Sequence, residues 1–394
     1  MDDKNKVVSD KCDDYILDIV KSSSYQNQTD EYCTKFRRWR TRKNNKYGYD
    51  YVRDTRERTY VDGQGYVHYS PHNAESIALS NCFKLFGLIF IVKHIINVIQ
   101  SLVVQRMSGS LFLSPDYYSN NFTIDTAPLE LVCVISAFSI LQLIIPIIMF
   151  FAISKMPFRV AVPNSRENNI EVSLSGISIM LMMLVLGRVG NLMLGNIFAH
   201  VNIAVPNFNM LQSESVLGNI IYSLSECLIV PILMEVLYRG VVLQTFRQHG
   251  DFFALTMSCV FNCIAYSDLA KSGYVLLMAV VVGLFTLRSG SICTAIFMRI
   301  SSRITTLVIS IGLKYVDNEY VKTLELIIFF IIIAFSLITY GRMIKNKNCD
   351  FNIEDSKTHL TIKQRIIIFL SSREITILVV ISLITMIFNI RLIE

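Results

Sequence analysis

The sequence predicts an all-α polytopic transmembrane bundle of about eight or nine spans. Apolar runs of about 20 residues recur along the 394-residue chain, long enough for a helix to cross the hydrocarbon core of a bilayer. These runs do not alternate apolar with polar residues, which excludes a closed β-barrel, the other structure able to span lipid. Composition agrees: 52% of residues are hydrophobic and the mean hydropathy is +0.45, too apolar for an ordinary soluble enzyme.

Residues 1–80 read as a polar cytoplasmic region. The start, MDDKNKVVSDKCDD, lacks the basic-then-apolar order of a signal peptide, so the first span is expected to be its own insertion signal. The chain's net charge is +6, and its most basic stretch lies before that span. Its densest part, Lys35 to Tyr60, interleaves basic residues with Phe36, Trp39, Tyr47, Tyr49, Tyr51 and Tyr60. Stacking aromatics and basic groups suit single-stranded nucleic acid. They suit an anionic membrane surface better, because a juxtamembrane basic residue gains about 1 kcal/mol there. We expect Lys35–Arg58 to meet anionic lipid and expect no nucleic acid. The following VDGQGYVHYSPHNAES has turn chemistry, compatible with a small hairpin or with nothing stable.

The spans follow at Cys82–Val104, Leu129–Ser154, Val172–His200, Leu217–Phe246, Phe252–Tyr266, Gly273–Leu287, Ser291–Gly312 and Val321–Arg342. A last one runs near Ile375–Ile390, preceded by an apolar run, Ile366–Leu370, suited to the interface. The domain plan is therefore 1–80, a transmembrane domain over 81–342, a cytoplasmic connection over 343–374 and a final helix within 375–394. Lys155, Arg159, Arg166, Arg247, Arg288, Arg342, Lys345 and Lys347 fall on alternate connections, whereas Ser108–Ala127 and Val201–Val216 contain no Lys or Arg. The positive-inside rule then puts the amino terminus in the cytoplasm. The sequon at Asn121-Phe122-Thr123 would lie on the outer side and has no meaning in a bacterial cell membrane, the source that the Ile-, Asn- and Lys-rich style suggests.

Nine cysteines scatter without metal-like spacing or a disulfide framework. We expect no metal and no cofactor. No period of 20–50 residues recurs, so neither a repeat array nor an obvious inverted-repeat transporter is supported.

The informative residues are the polar ones inside spans. In PILMEVLYRG, Glu235 and Arg239 lie four apart on one helical face. A charge near the membrane midplane costs roughly 2.5–3.5 kcal/mol on insertion scales and needs a partner or a task. Pro231 removes the backbone bond to Cys227 and is expected to bend the helix one turn before Glu235. This suits either a site or an ordinary kink closed by a Glu235–Arg239 pair. Glu226 is expected on roughly the opposite face. Arg299 and Arg303, again four apart, sit in the seventh span. Arg188, Asn191 and Asn196 interrupt the third, where Gly187, Gly190 and Gly195 permit close approach, and interhelical hydrogen bonding is their simplest use. Ser258, Asn262 and Tyr266 share a face of the fifth span, as packing contacts or one wall of a polar cavity. Lys93 and His94 in the first span read as interface or bundle-facing residues.

PILMEVLYRGVVLQTFRQHG, then FNCIA, then GLFTLRSGSICTAIFMRISSR resembles the membrane domain of the CPBP family, the CAAX proteases and bacteriocin-processing (Abi) proteins. The resemblance is close over 230–303 and looser from about Leu129 to Gly312. It implies a core built for intramembrane glutamic endopeptidases. The family's Glu-Glu-x-x-x-Arg motif falls on Met234, Glu235 and Arg239. Its motif histidine after Phe261 falls on Ala265, and its final histidine and asparagine fall on Arg299 and Arg303. In active members these groups are thought to activate a water and stabilise the developing oxyanion. Met234 and Ala265 can neither accept a proton nor donate a hydrogen bond, and arginine is permanently protonated. The resemblance thus implies a degenerate member, a scaffold or binding protein facing membrane lipid and other membrane or envelope proteins. The alternative is an active endopeptidase with a rearranged site and Glu235 as base. Two physical uses of the changed pocket remain open: Glu235 pairing across the bundle with Arg299 or Arg303, or an anion pocket formed by Arg239, Arg299 and Arg303.

Overall fold

A computed structural model describes residues 28–42, 44–49, 58–61, 65–68, 71–108, 127–164, 170–200, 203–204, 211, 213–266, 269–315, 318–345, 359–388 and 391–392. The sequon at 121–123, the start at 1–14, residues 50–57 of the basic stretch, and the side chains of Asn191 and Asn196 lie outside what is described.

The helices are α1 (Asp30–Arg40), α2 (Pro71–Ser108), α3 (Leu129–Ser154), α4 (Phe158–Ala161), α5 (Ile170–Ala199), α6 (Val216–His249), α7 (Asp251–Tyr266), α8 (Leu269–Ser289), α9 (Ile292–Lys314), α10 (Asn318–Lys345), α11 (Ile362–Leu370) and α12 (Arg373–Phe388). Two short antiparallel ribbons accompany them. β1 (Arg58–Val61) pairs with β2 (Gly65–His68), so the turn-rich stretch is a hairpin, and β3 (Ile203–Ala204) pairs with β4 (Arg391–Leu392).

The chain is an all-α polytopic bundle. Among the described residues six helices are long and apolar enough to cross a membrane, or seven if the pair α11 and α12, bent by 70°, counts as one. The expected total of eight or nine therefore divides differently. α7 and the 273–289 part of α8 are shorter apolar helices. The expected start of the first span at Cys82 is also late, because α2 begins at Pro71. The reason is local: Glu75 is fully buried against His249 and Arg365, so the polar turns before Cys82 pack on protein.

α6 is the axis. It packs against α3, α7 and α9, with α2, α11 and α12 beyond on one side and α5, α8 and α10 on the other. Its aromatic neighbours fix its position: Phe83, Phe86 and Phe90 of α2, Phe150 of α3 and Phe261 of α7 surround Tyr238 and Phe246. Ring centroids there are 5.1 to 6.1 Å apart. Offset contacts of this kind contribute about 0.5–1.5 kcal/mol each beyond area burial.

The basic, aromatic amino-terminal stretch joins this core. Thr29 caps α1 by accepting from the Tyr32 amide, with Asp30 and Glu31 in the first turn and Arg37, Arg38 and Arg40 in the last, as the helix dipole favours. Its apolar face buries Tyr32, Phe36 and Trp39, while Arg37, Arg38, Arg42 and Lys46 stay exposed. Trp39 donates to the Ser154 carbonyl at 2.9 Å, Tyr32 to Gln244 at 2.6 Å and Gln28 to the Gly290 carbonyl at 3.0 Å. The Tyr49 amide donates to Gln248 at 3.0 Å. Residues 28–49 thus run as a strap over one end of the bundle, their described aromatics spent on protein contacts.

Truncating the strap's anchor should therefore be costly. Trp39→Ala is expected to lower stability by about 3–5 kcal/mol and to expose residues 28–49 to protease. Arg38→Ala should stay within about 0.5 kcal/mol. Thermal unfolding and limited proteolysis in detergent measure both, and equal small effects would detach the strap from the core.

Candidate functional site

Pro231 does not break α6. Lacking an amide to bond the Cys227 carbonyl, it follows a widened π turn, Ser225–Ile229, in which the Val230 amide reaches back to the Ser225 carbonyl. The helix continues through it as one element, Val216–His249. A second π turn, Val236–Val242, carries Arg239 and begins immediately after Glu235. Side chains hold it. Ser258 of α7 donates to the Tyr238 carbonyl at 2.9 Å, Gln244 to the Arg239 carbonyl at 3.3 Å and Thr245 to the Val241 carbonyl at 2.7 Å. Gly240 is required here, since a Cβ would lie 2.5 Å from the Ala161 carbonyl oxygen of α4.

The result is a buried charge cluster. Glu235 and Arg239 are both 0% exposed. Arg299 of α9 donates through Nε to Glu235 Oε1 at 2.9 Å, and Arg239 Nε lies 3.4 Å from Glu235 Oε2. Arg239 also donates through Nη2 to the Ala279 carbonyl of α8 at 2.7 Å. One carboxylate therefore lies between two guanidinium groups from two helices. Removing it would strand both cations in an apolar interior, which costs several kcal/mol.

Arg303 lies one turn beyond Arg299 on α9. Arg303 and Glu226 both lie within electrostatic reach of Cys227. Met234 packs against the main apolar core and Ala265 is buried within it, so two positions of the family motif are spent on packing. At the carboxy-terminal end of α7, Lys93 donates to the Ala265 carbonyl at 3.0 Å and Ser382 to the Ile264 carbonyl at 2.8 Å. These carbonyls have no intrahelical partner, and the ammonium also meets the negative end of the helix dipole. Lys93 is thus a bundle-facing cap. Asn262, beside Ser258 on α7, is 1% exposed and neither of its amide atoms has a hydrogen-bond partner among the described residues.

A second polar layer adjoins the first, and only part of it was legible. Arg188 of α5 pairs with Glu325 of α10 at 2.8 Å, the interhelical bond expected of it. Tyr274 of α8 hydrogen-bonds Ser302 and lies within electrostatic reach of Arg299, Arg303 and Arg188. Gly187 gives Tyr274 its place, since a Cβ there would sit 2.3 Å from the ring. Gly190, expected to serve a close approach, serves none among the described residues, because a Cβ placed there would meet nothing within 4 Å. Glu325 carried a usable signal, a carboxylate inside an apolar helix. Tyr274 carried none. Among the described residues no group of three or more His, Cys, Asp or Glu comes together as a metal site.

Residues 216–304 match the family model for type II CAAX prenyl endopeptidase Rce1-like proteins, which supports membership of the CPBP (CAAX protease) family. That range covers α6 to α9, the helices that build the charge cluster. No curated protein and no solved structure matches the chain.

The cluster predicts a large penalty for neutralising its centre. Glu235→Gln is expected to lose several kcal/mol, read as a lowered melting temperature in detergent. Combining it with Arg299→Gln should cost less than the sum of the two, because the second change removes a stranded charge. Additivity would show that the pair is not coupled. Gly240→Ala should also destabilise, since the opposing atom is backbone and cannot swing away.

Proposed function

We propose that this integral membrane protein of the Rce1-like family is a catalytically degenerate member that binds rather than cleaves. The observation that supports this reading most directly is the Glu235 carboxylate held between Arg239 and Arg299. Hydrolysis by the family's chemistry needs a water, a group to take its proton, and a donor aimed at the developing oxyanion. Glu235 faces cations on two helices, and Met234 and Ala265 belong to the apolar core. Arginine cannot act as the base.

The frame is retained as a rigid membrane scaffold for partners among other membrane or envelope proteins. Exposed Arg37, Arg38, Arg42 and Lys46 on the strap suit an anionic lipid surface. An amino terminus on the cytoplasmic side of a bacterial cell membrane fits the same end of the bundle. There Arg159 pairs with Glu31 of α1 and Arg247 hydrogen-bonds the Tyr32 hydroxyl. The alternative, an active endopeptidase with Glu235 as base, has the burial of that carboxylate in its favour.

A prenylated CAAX peptide incubated with the purified full chain separates the two. No cleavage above a no-protein control is expected, and Glu235→Ala should complement a deletion strain as far as its expression level allows. Cleavage abolished by Glu235→Ala would overturn the scaffold reading.

A further inference from the structure

Among the described residues, the layer around Tyr274 holds guanidinium N–H groups that its carboxylates do not answer. Arg188, Arg299 and Arg303 lie within electrostatic reach of Tyr274, where Arg188 pairs with Glu325 and Arg299 with Glu235. This is visible atom by atom. Arg188 is 6% exposed and uses only Nη1 on Glu325; its Nε and Nη2 are buried without a hydrogen-bond partner among the described residues. Arg299 spends Nε on Glu235 and leaves Nη2 buried and likewise unpartnered. Buried guanidinium N–H groups without acceptors are costly in any interior, and more so within a bilayer. A chain that keeps them gains from an acceptor beyond those that the described residues supply.

We propose that Arg188 and Arg299, both within electrostatic reach of Tyr274, form a binding site for a phosphate-type oxyanion. The chemistry selects this class. A guanidinium offers paired donors in a fixed fork that matches two oxygens of an oxyanion. The Nε–Nη2 fork of Arg188 and the Nη2 of Arg299 come from different helices, α5 and α9, so a tetrahedral anion with oxygens in several directions meets them better than one planar carboxylate. Ser302 already holds the Tyr274 hydroxyl, and Gly187 seats its ring against α5, so this tyrosine is fixed before any ligand arrives. The same group is carried by a phospholipid headgroup or occurs free in solution as inorganic phosphate. The site rests on the reading of this pocket as a binding rather than a hydrolytic one.

The test uses the full chain, delipidated in a non-ionic detergent. Thermal unfolding is followed against inorganic phosphate at constant ionic strength, with chloride as the control. In a second arm it is followed against phosphatidic acid in mixed micelles, with phosphatidylcholine as the control. A saturable rise in melting temperature is expected in at least one arm. A rise with inorganic phosphate identifies the free ion, and a rise only with phosphatidic acid identifies the headgroup. Arg188→Gln should abolish the rise whatever its own melting temperature. Arg188→Lys, which keeps the charge but loses the fork, should raise the half-saturating concentration by about tenfold or more. No rise over the controls in either arm overturns the site, as does a rise unchanged in both variants. Proteolysis that depends on Glu235, with the phosphate-induced rise intact, would instead overturn the scaffold reading and leave this site standing.

Discussion

The placement of one carboxylate between two guanidinium groups organises the centre of this protein. Glu235 lies inside an apolar bundle, where it, Arg239 and Arg299 must answer one another's charge. Each charge is tolerable only because the other two are in register, and register is set by how α6 and α9 pack. The widened turn Val236–Val242, the Ser258 and Gln244 side chains that hold its carbonyls, and the bare Gly240 backbone against α4 all serve that register. The cluster is therefore a constraint on the fold before it is a property of a site.

The same physics recurs wherever backbone or side-chain polarity enters the bundle. Lys93 and Ser382 answer the last carbonyls of α7. Arg365 donates to the His249 carbonyl and lies near Glu75, tying the start of α2 and the end of α6 to α11. The amino-terminal strap reaches the centre through one short path, because Tyr32 donates to Gln244 and Gln244 donates to the Arg239 carbonyl. A segment that begins outside the apolar runs thus supports the turn on which the buried arginine is carried.

Seen beside the Rce1-like family, the chain keeps a frame and changes what fills it. The glutamate and arginine of the first motif remain, and two further arginines stand where the resemblance puts a histidine and an asparagine. A histidine can accept a proton and an arginine cannot, so that exchange alters the proton chemistry open to the position. With Arg239 and Arg299 beside Glu235, positive groups gather at the centre. Arg188 and Tyr274, outside the motifs, add the second polar layer along α5 and α8.

Much of this was legible in the sequence, for a stated reason. Run length and the lack of alternation determine an all-helical membrane bundle, because lipid leaves few backbone solutions. The cost of charge in lipid marked Glu235, Arg239, Arg299, Arg303 and Arg188 without any structure. Turn chemistry allowed the hairpin before α2. What sequence could not decide is who meets whom. Glu235 had two candidate partners on α9 four residues apart, and only the packing of α6 on α9 brought Arg299 to it. Pro231 announced a disturbance, but whether a helix bends or widens depends on the neighbours that accept its displaced carbonyls. The buried aromatics of the basic stretch looked the same whether they would meet lipid, nucleic acid or protein, since burial is a property of the partner surface. Composition states what must be satisfied; the tertiary structure alone supplies the group that satisfies it.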